Sequence, residues 1–381
     1  MARPKAPVPP PYPGRSNPLS TQSPGKWGDR LDRAWEVTKP WLFEIDAEWV
    51  HTIFFWALRF LVWVGGKKKR TQSLFKIISG MDQISPAQAQ SLSREVFGMD
   101  FRNPIGLAAG FDKNAEILPA LVDFGFGFVE VGTVTPRPQD GNLKPRLFRD
   151  PSEQAIFNRM GFNGAGMVRV RKNLEKTTKR RPQGFRLGLN VGKNKDTPNE
   201  EAASDYRKVV EGMKDLADYL VINVSSPNTP GLRALQSVES LKPIVLETLE
   251  AAANWSTVPP VLLKLAPELA SDGLSDVIRA CEKWKVGGFI LTNTLAGIWG
   301  PTGDNGGWSG QILSEKSKAA LVEARSLTDL PIISVGGIGS PEQAYERLKL
   351  GANLVQFYTG WIYGGPRFPS KIMRFLAENR T

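Results

Sequence analysis

From Asn103 onward the chain alternates between two patterns. Short, almost continuously apolar runs recur, and most are followed by a stretch whose apolar residues repeat at helical spacing. Runs of the first kind at 105–110, 128–132, 187–191, 219–225, 261–266, 288–293, 331–337 and 354–359 predict eight strands. Stretches of the second kind predict helices at 116–124, 200–216, 240–253, 271–284, 314–327 and 341–350. Strands without polar alternation are those covered on both faces, as in a parallel sheet flanked by helices. Eight such units in about 270 residues predict an α/β protein of the (β/α)8 TIM-barrel class. A doubly wound open sheet also alternates strand and helix, but no GxGxxG follows the first strand.

The N-terminal region is patterned differently. Residues 1–26 hold eight prolines and no acidic residue, and such a segment has little apolar surface with which to offset its ordering entropy. It reads as an extended or disordered tail, with neither a signal-peptide core nor an amphipathic transit helix. Residues 27–70 then carry six of the eleven tryptophans. Pro40 predicts a break between two short helices, about 29–43 and 46–64. In the second, Trp49, Trp56 and Trp63 are seven apart and form one stripe, with Glu48, His51, Thr52 and Arg59 in a narrow polar band beside it. Arg59 interrupts the best apolar run, so no span of the roughly 20 residues needed to cross a bilayer is present. Two readings stand: a hairpin packed on the main domain, or a monotopic hairpin in the lipid interface, where Trp concentrates and Lys67–Arg70 would meet anionic head groups. The second is preferred. The expected organisation is a tail at 1–26, an amphipathic hairpin at 27–70 as the N-terminal extension, and the barrel at 71–381.

Composition narrows the chemistry. A single cysteine, Cys281, excludes a disulfide framework and Cys-rich metal sites, and a single histidine, His51, excludes a His-based triad or multi-His metal centre. No metal is expected. The net charge of +11 includes a segment, 169–186, with eight basic residues and one acidic. It lacks aromatic interleaving and a known fold signature, so a solvated face or an attraction to anionic lipid is expected there and nucleic acid is not.

In a barrel of this class, working residues sit at the C-terminal ends of the strands. The polar clusters fall there: Gly110-Phe111-Asp112-Lys113-Asn114, the run from Gly132 through Thr133 to Pro138, Asn158-Arg159-Met160-Gly161-Phe162-Asn163, and Asn190-Val191-Gly192-Lys193. Asn223 to Gly231, Lys264, Thr292-Asn293-Thr294, Gly336-Gly337 and Tyr358-Thr359-Gly360 complete the face. Any one of these could be only a turn. Together, the asparagines at 158, 190, 223, 228 and 293 suit a planar ligand with alternating N–H and C=O groups. Lys113 and Lys264 supply positive charge for an anionic substrate or a reduced cofactor. Glycines after the last two strands lie where barrels commonly hold phosphate, which fits a flavin mononucleotide and equally fits tight turns alone.

The runs NPIGLAAGFDK (103–113), GTVTPRPQDGNLKPRLFR (132–149), NRMGFN (158–163), LGLNVGKNK (187–195), NVSSPNTPGLR (223–233) and LVQFYT (354–359) closely resemble the dihydroorotate dehydrogenase family. The N-terminal hairpin, with Asp46-Ala47-Glu48 and then His51, is similar in position to the membrane-binding extension of its class 2, quinone-dependent branch. The resemblance implies oxidation of dihydroorotate to orotate through FMN in de novo pyrimidine biosynthesis, with electrons passed to a membrane quinone. It implies Ser226 as the base for the C5 proton, with Thr229 as a relay and Lys113 beside them. It implies orotate contacts at Lys113, Asn158, Arg159, Met160, Gly161, Phe162, Asn223, Asn228, Asn293 and Thr294. The implied FMN contacts are Ala109, Gly110, Thr133, Asn190, Asn223, Lys264, Thr292, Gly310, Gly337, Tyr358 and Thr359. His51, Arg149 and Tyr358 are candidates for the quinone end. Cys281, mid-helix, reads as packing. Asn114-Ala115, Leu295 and Trp308 depart from the family pattern. A flavin barrel that reduces pyrimidines, free or within RNA, and a catalytically silent lipid- or nucleic-acid-binding barrel are the alternatives. Serine rather than cysteine at 226 and the expected absence of an RNA-binding helical domain oppose the first, and intact Ser226 and Lys113 oppose the second. A monomer lying peripherally on the cytoplasmic side of a bacterial inner membrane is expected.

Overall fold

The computed structural model describes residues 26–65, 69–177, 181–270 and 273–379. The expected tail at 1–26, apart from Lys26, and the Lys67–Lys68 pair lie outside these, as do the side chains of Trp63, Lys69 and Arg70.

The chain begins with α1 (Lys26–Glu44) and α2 (Ala47–Gly65). Pro40 does not separate them: α1 continues through it, giving up one backbone hydrogen bond near its end. The chain turns instead at Ile45–Asp46, where the Asp46 carboxylate accepts the Trp49 amide (2.9 Å) and starts α2. Next come α3 (Lys69–Ser79), α4 (Pro86–Ser91), whose Ser85 and Gln88 form a capping box, and a small hairpin of β1 (Arg94–Val96) and β2 (Met99–Phe101). The barrel proper then starts with β3 (Ile105–Leu107), α5 (Leu118–Asp123) and β4 (Phe128–Val134). An excursion follows, of β5 (Leu147–Asp150) and β6 (Ala155–Asn158), and then α6 (Gly166–Thr177). The succession continues with β7 (Arg186–Val191), α7 (Ala202–Gly212), β8 (Tyr219–Asn223), α8 (Val238–Ala253), β9 (Val261–Leu265), α9 (Leu274–Lys283) and β10 (Gly288–Leu291). A second excursion, β11 (Leu295–Trp299) and β12 (Asp304–Gly310), precedes α10 (Ser314–Leu327). The chain ends with β13 (Ile332–Val335), α11 (Pro341–Lys349), β14 (Leu354–Phe357), α12 (Thr359–Gly364) and α13 (Phe368–Glu378).

The eight expected runs are the eight strands of one closed parallel barrel, in the order β3-β4-β7-β8-β9-β10-β13-β14 and back to β3. The fold is the (β/α)8 barrel that the pattern predicts. Its interior is filled by alternating bulk. Gly106 leaves room for the Phe128 ring, which a Cβ there would meet at 2.3 Å, and Gly188 does the same for Tyr219 at 2.2 Å. Phe101 of the β1–β2 hairpin packs edge-on against Phe128 (5.5 Å) and closes the N-terminal end. The sequence reading missed that hairpin, α6 and both excursions. The excursions join as one antiparallel sheet, β11-β12-β6-β5, because β12 pairs with β6 across the C-terminal mouth. Two excursions more than a hundred residues apart thereby form one wall.

The basic segment lies along α6 and the approach to β7. Arg171 pairs with Glu175 (2.9 Å), and Arg181 and Arg186 both pair with Asp218 (2.5 and 3.5 Å). These arginines are thus engaged within the fold. Cys281 on α9 is fully buried, and its thiol is pushed up to about 12 by that burial.

Each N-terminal helix has its own anchorage. On α1, Asp32 pairs with Lys371 (3.0 Å) and the Trp35 indole donates to the Tyr363 carbonyl (3.1 Å). On α2, Leu58 is 3% exposed, and Arg59 pairs with Glu116 (3.2 Å). Truncating a buried leucine typically costs about 2–5 kcal/mol, and here the loss falls on a single docked helix. Leu58→Ala should therefore increase hydrogen exchange in α2 while leaving the barrel strands protected. Equal loosening of both would show that α2 does not open separately.

Candidate functional site

The C-terminal mouth of the barrel opens into a cavity of about 440 Å³, walled on one side by the β11-β12-β6-β5 sheet and roofed by α2. The polar band expected on α2 faces inward: Glu48, His51, Thr52 and Arg59 line the cavity. The opposite face is apolar and exposed, with Trp49, Ile53 and Phe60 each between 59% and 66% accessible, and Trp56, 66% accessible, stands at the cavity's edge. Among the described residues, no helix is long and apolar enough to cross a membrane.

All but four of the sequence-derived site residues line this cavity. They are Lys113, Ser226, Asn158, Met160, Gly161, Phe162, Asn223, Asn228, Asn293 and Thr294, with Ala109, Gly110, Thr133, Lys264, Thr292, Gly310, Gly337, Tyr358 and Thr359, and His51 on the roof. Asn190, fully buried, lies beneath the floor; its Oδ1 accepts from Thr133 and from Asn223 (3.0 Å). Thr229 is behind the wall, 4% exposed, with an unpartnered hydroxyl. Arg159 pairs with Asp304 (2.6 Å) and so ties β12 to the loop after β6. Arg149 reaches the α1–α2 turn, donating to the Ile45 carbonyl (2.8 Å) with its guanidinium 4.9 Å from the Phe43 ring centroid.

The floor is one hydrogen-bonded network. Asn293 donates to Asn223 Oδ1 (3.1 Å) and to Ser225 Oγ (3.0 Å), and Asn223 donates to Thr133 Oγ1 (3.0 Å). At its root lies Glu130, in the middle of β4 with no exposed surface. It accepts from Lys264 Nζ (3.1 Å), Asn190 Nδ2 (2.6 Å) and Gln356 Nε2 (2.8 Å). The sequence reading missed Glu130 and Gln356. A charged residue inside an otherwise apolar strand was the available signal, since a buried carboxylate needs a compensating partner.

At the far end, Asn228 Nδ2 donates to Asn158 Oδ1 (2.7 Å), and Asn158 Nδ2 donates to the Gly307 carbonyl (3.2 Å). The Asn228 amide N–H donates to Ser226 Oγ (3.2 Å). Asn228 Oδ1 and Asn163 Oδ1 are buried without partners, which leaves two acceptors unsatisfied on residues that line the cavity. Two of the three departures from the family pattern meet here: Leu295 and Trp308 are directly opposite on β11 and β12, and Trp308 packs against Phe157 (5.1 Å). Gly337 has φ +71°, and a Cβ there would stand 2.2 Å from Ser314 Cα, so the backbone passes the cavity end where a side chain could not.

Electrostatics differ along the cavity. Burial pushes the Lys113 ammonium down to about 8, with Arg146 and Lys144 adding repulsion and Glu48 opposing it. Burial pushes His51 down to about 4, helped by Lys113; its Nε2 is unpartnered and its ring lies 5.1 Å from Phe111. Burial raises the Tyr358 phenol, whose ring is 5.4 Å from the same Phe111. The roof thus combines an uncharged aromatic group of His51, Phe111 and Tyr358 with the ion-paired Glu48 and Arg59, while the floor is amide-rich and carries Lys264.

The family model for dihydroorotate dehydrogenase matches residues 91–379. The chain belongs to the dihydroorotate dehydrogenase family. It is 44% identical over 349 residues to a dihydroorotate dehydrogenase (quinone) of Christiangramia forsetii, covering 90% of this chain and 98% of that one. It is 47% identical over 308 residues to the protein of that name from Corynebacterium glutamicum, covering 78% and 81%. Among solved structures, DHODH from Eimeria tenella in complex with ferulenol superposes with a TM-score of 0.72 at 34% identity, over 83% of this chain and 93% of that one.

His51 is the only histidine, so its titration is free of overlap. A ring held at about 4 stays neutral from pH 5.5 upward. Its NMR signals should therefore show no titration between about pH 5.5 and 8. A midpoint near 6.5 would place the ring in water rather than in the roof.

Proposed function

We propose that this protein oxidises (S)-dihydroorotate to orotate with FMN as its flavin and passes the electrons to a membrane quinone, as a step in making pyrimidines. The observation that carries this reading is a single cavity whose lining combines two kinds of chemistry: the polar and cationic side chains of Ser226, Asn158, Asn228, Asn293 and Lys113, and the rings of His51, Phe111 and Tyr358. Membership of a family whose relatives in Christiangramia forsetii and Corynebacterium glutamicum are named as quinone-dependent supports the acceptor.

The residues fit a flavin. The unsatisfied Asn228 and Asn163 oxygens, together with the floor amides, suit flat heterocycles bearing N–H and C=O groups. Gly110, with φ +99° and open space at its Cβ position, lets a flat ring approach the backbone. Gly337, Thr359 and Gly360 would hold the phosphate at the ends of β13 and β14, where this barrel class commonly binds it. When bound, FMN supplies a two-electron acceptor that takes hydride from one partner and gives electrons up to another.

The chain's own residues supply the rest. Lys113 would receive the substrate carboxylate. Asn158, Asn223, Asn228 and Asn293 would orient the ring, each fixed by the bonds described above, so that little ordering remains at binding. Ser226 Oγ would take the C5 proton while accepting from the Asn228 amide, which leaves its own hydrogen free to move on. Thr229, with its unpartnered hydroxyl, would be the next stop for that proton. Lys264, held by Glu130, would face the developing negative charge of the reduced ring in a water-poor setting, where such an interaction is strongest.

At the roof, a quinone would enter between α1 and α2 and meet Phe111, His51 and Tyr358. The exposed stripe of Trp49, Ile53, Trp56 and Phe60, with Trp41 77% exposed on α1, would lie in the lipid interface. Trp and Phe favour that zone, and the polar band turned away from it explains how a helix can be apolar outside and polar inside. We place the protein peripherally on the cytoplasmic face of the inner membrane. The Arg149 tie to the α1–α2 turn would keep the entrance shaped.

Ser226→Ala should keep its flavin but reduce it with dihydroorotate about 10²–10⁴-fold more slowly. Anaerobic stopped-flow measurement decides: reduction of the variant at the wild-type rate would remove Ser226 as the base, and a wild-type flavin that dihydroorotate does not bleach would remove the whole reading.

A further inference from the structure

Glu48 belongs to the roof, yet its contacts lead to the floor. Its Oε1 lies 2.8 Å from Arg146 Nη2 and 3.3 Å from Lys144 Nζ, and its Oε2 is 3.2 Å from Arg146 Nε. This is a two-pronged carboxylate–guanidinium pair on an arginine that is only 6% exposed. The remaining prong of Arg146, Nη1, donates to the carbonyls of Asp140 (2.5 Å) and Asn142 (2.8 Å). Asn142 Nδ2 in turn donates to the Asn228 carbonyl (3.2 Å), and the Asn228 amide donates to Ser226 Oγ. A continuous chain of polar contacts therefore runs from the N-terminal helix to the serine hydroxyl.

The charges point the same way. Lys113 faces Arg146 and Lys144 from the loop before β5, and Glu48 and uncharged His51 from α2. Its neighbour Asp112 is occupied, accepting the amides of Glu116 (2.8 Å) and Ile117 (3.0 Å), and Glu116 is held by Arg59. Among the described residues Lys113 has no carboxylate within ion-pair distance. Glu48 is thus the carboxylate that offsets this group of cations. Burial would raise its acid, but hydrogen bonds from Arg146 and Lys144 bring it below the usual range.

We propose that Glu48 is a positioning residue for the substrate end of the cavity: it anchors the Asp140–Arg146 loop beneath Asn228 and screens Lys113 from the two cations that crowd it. The proposal rests on the dihydroorotate reading and extends it, because it makes the membrane-side helix part of the substrate site. The protonated Lys113 is the form that binds a carboxylate, so affinity is present below its pKa and falls as pH rises through about 8. Removing Glu48 moves that fall to lower pH.

The test is calorimetric titration of the flavin-loaded full chain with orotate between about pH 6 and 10. Glu48→Gln should bind orotate about tenfold or more weakly near pH 8 and lose it about one pH unit earlier than wild type, and Glu48→Asp should restore part of both. Lys144→Gln, whose side chain is 67% exposed, should shift the fall upward. Wild-type affinity and an unmoved fall in Glu48→Gln would overturn the proposal. Should Glu48→Gln not retain flavin, Lys144→Gln decides, and an unmoved fall there overturns it equally. A wild-type chain that binds no orotate overturns the functional reading and this role with it, an outcome distinct from either variant result.

Discussion

A carboxylate with no exposed surface stands in the middle of a barrel strand, and the arrangement around the cavity depends on how it is compensated. Glu130 on β4 is held by Lys264 on β9, Asn190 on β7 and Gln356 on β14, so a single charge ties four strands together across the barrel interior. A buried ion pair of this kind adds little net stability, but removing one partner typically costs about 3–5 kcal/mol because the other is left uncompensated. What the pair contributes is orientation. With its Nδ2 committed to Glu130, Asn190 must turn its oxygen to Thr133 and Asn223, and Asn223 in turn fixes Asn293. The amide face that meets a ligand is thereby set from below, before any ligand arrives.

The roof is set from the side. The inward band of α2 supplies Glu48 and His51, while the outward stripe is left apolar; on an isolated helix either face could have packed on the barrel. Leu58 and the Arg59–Glu116 pair fix the rotation of the helix about its axis. That rotation decides that the cavity has a polar, charge-compensated corner at Glu48 and an aromatic one at Phe111, His51 and Tyr358. Two half-reactions with dissimilar partners can then share one enclosure without sharing chemistry.

Much of this was legible beforehand, for a physical reason. Parallel strands covered on both faces must be apolar throughout, so all eight stand out from their surroundings, and polar residues in such a barrel concentrate where strands end. The carried-over positions accordingly converge on one cavity, apart from Asn190, Thr229, Arg159 and Arg149, whose side chains turn beneath, behind or beyond its wall. Pro40 misled because a proline near a helix end costs only one hydrogen bond, and the real turn depends on the Asp46 cap. The mouth sheet was invisible because β5, β11 and β12 are half-exposed rather than continuously apolar, and its central pairing, β12 with β6, joins segments about 150 residues apart.

The order of apolar runs, the polar strand ends and the single histidine belong to the sequence alone, because burial and composition are properties of segments. Which carboxylate answers which cation does not. Glu48 meets Arg146 across 98 residues, and Glu130 meets Lys264 across 134. Contacts of about 3 Å between elements so distant depend on the rotation and height of whole helices and strands, and no local periodicity records these; the closed barrel and its docked helices settled them.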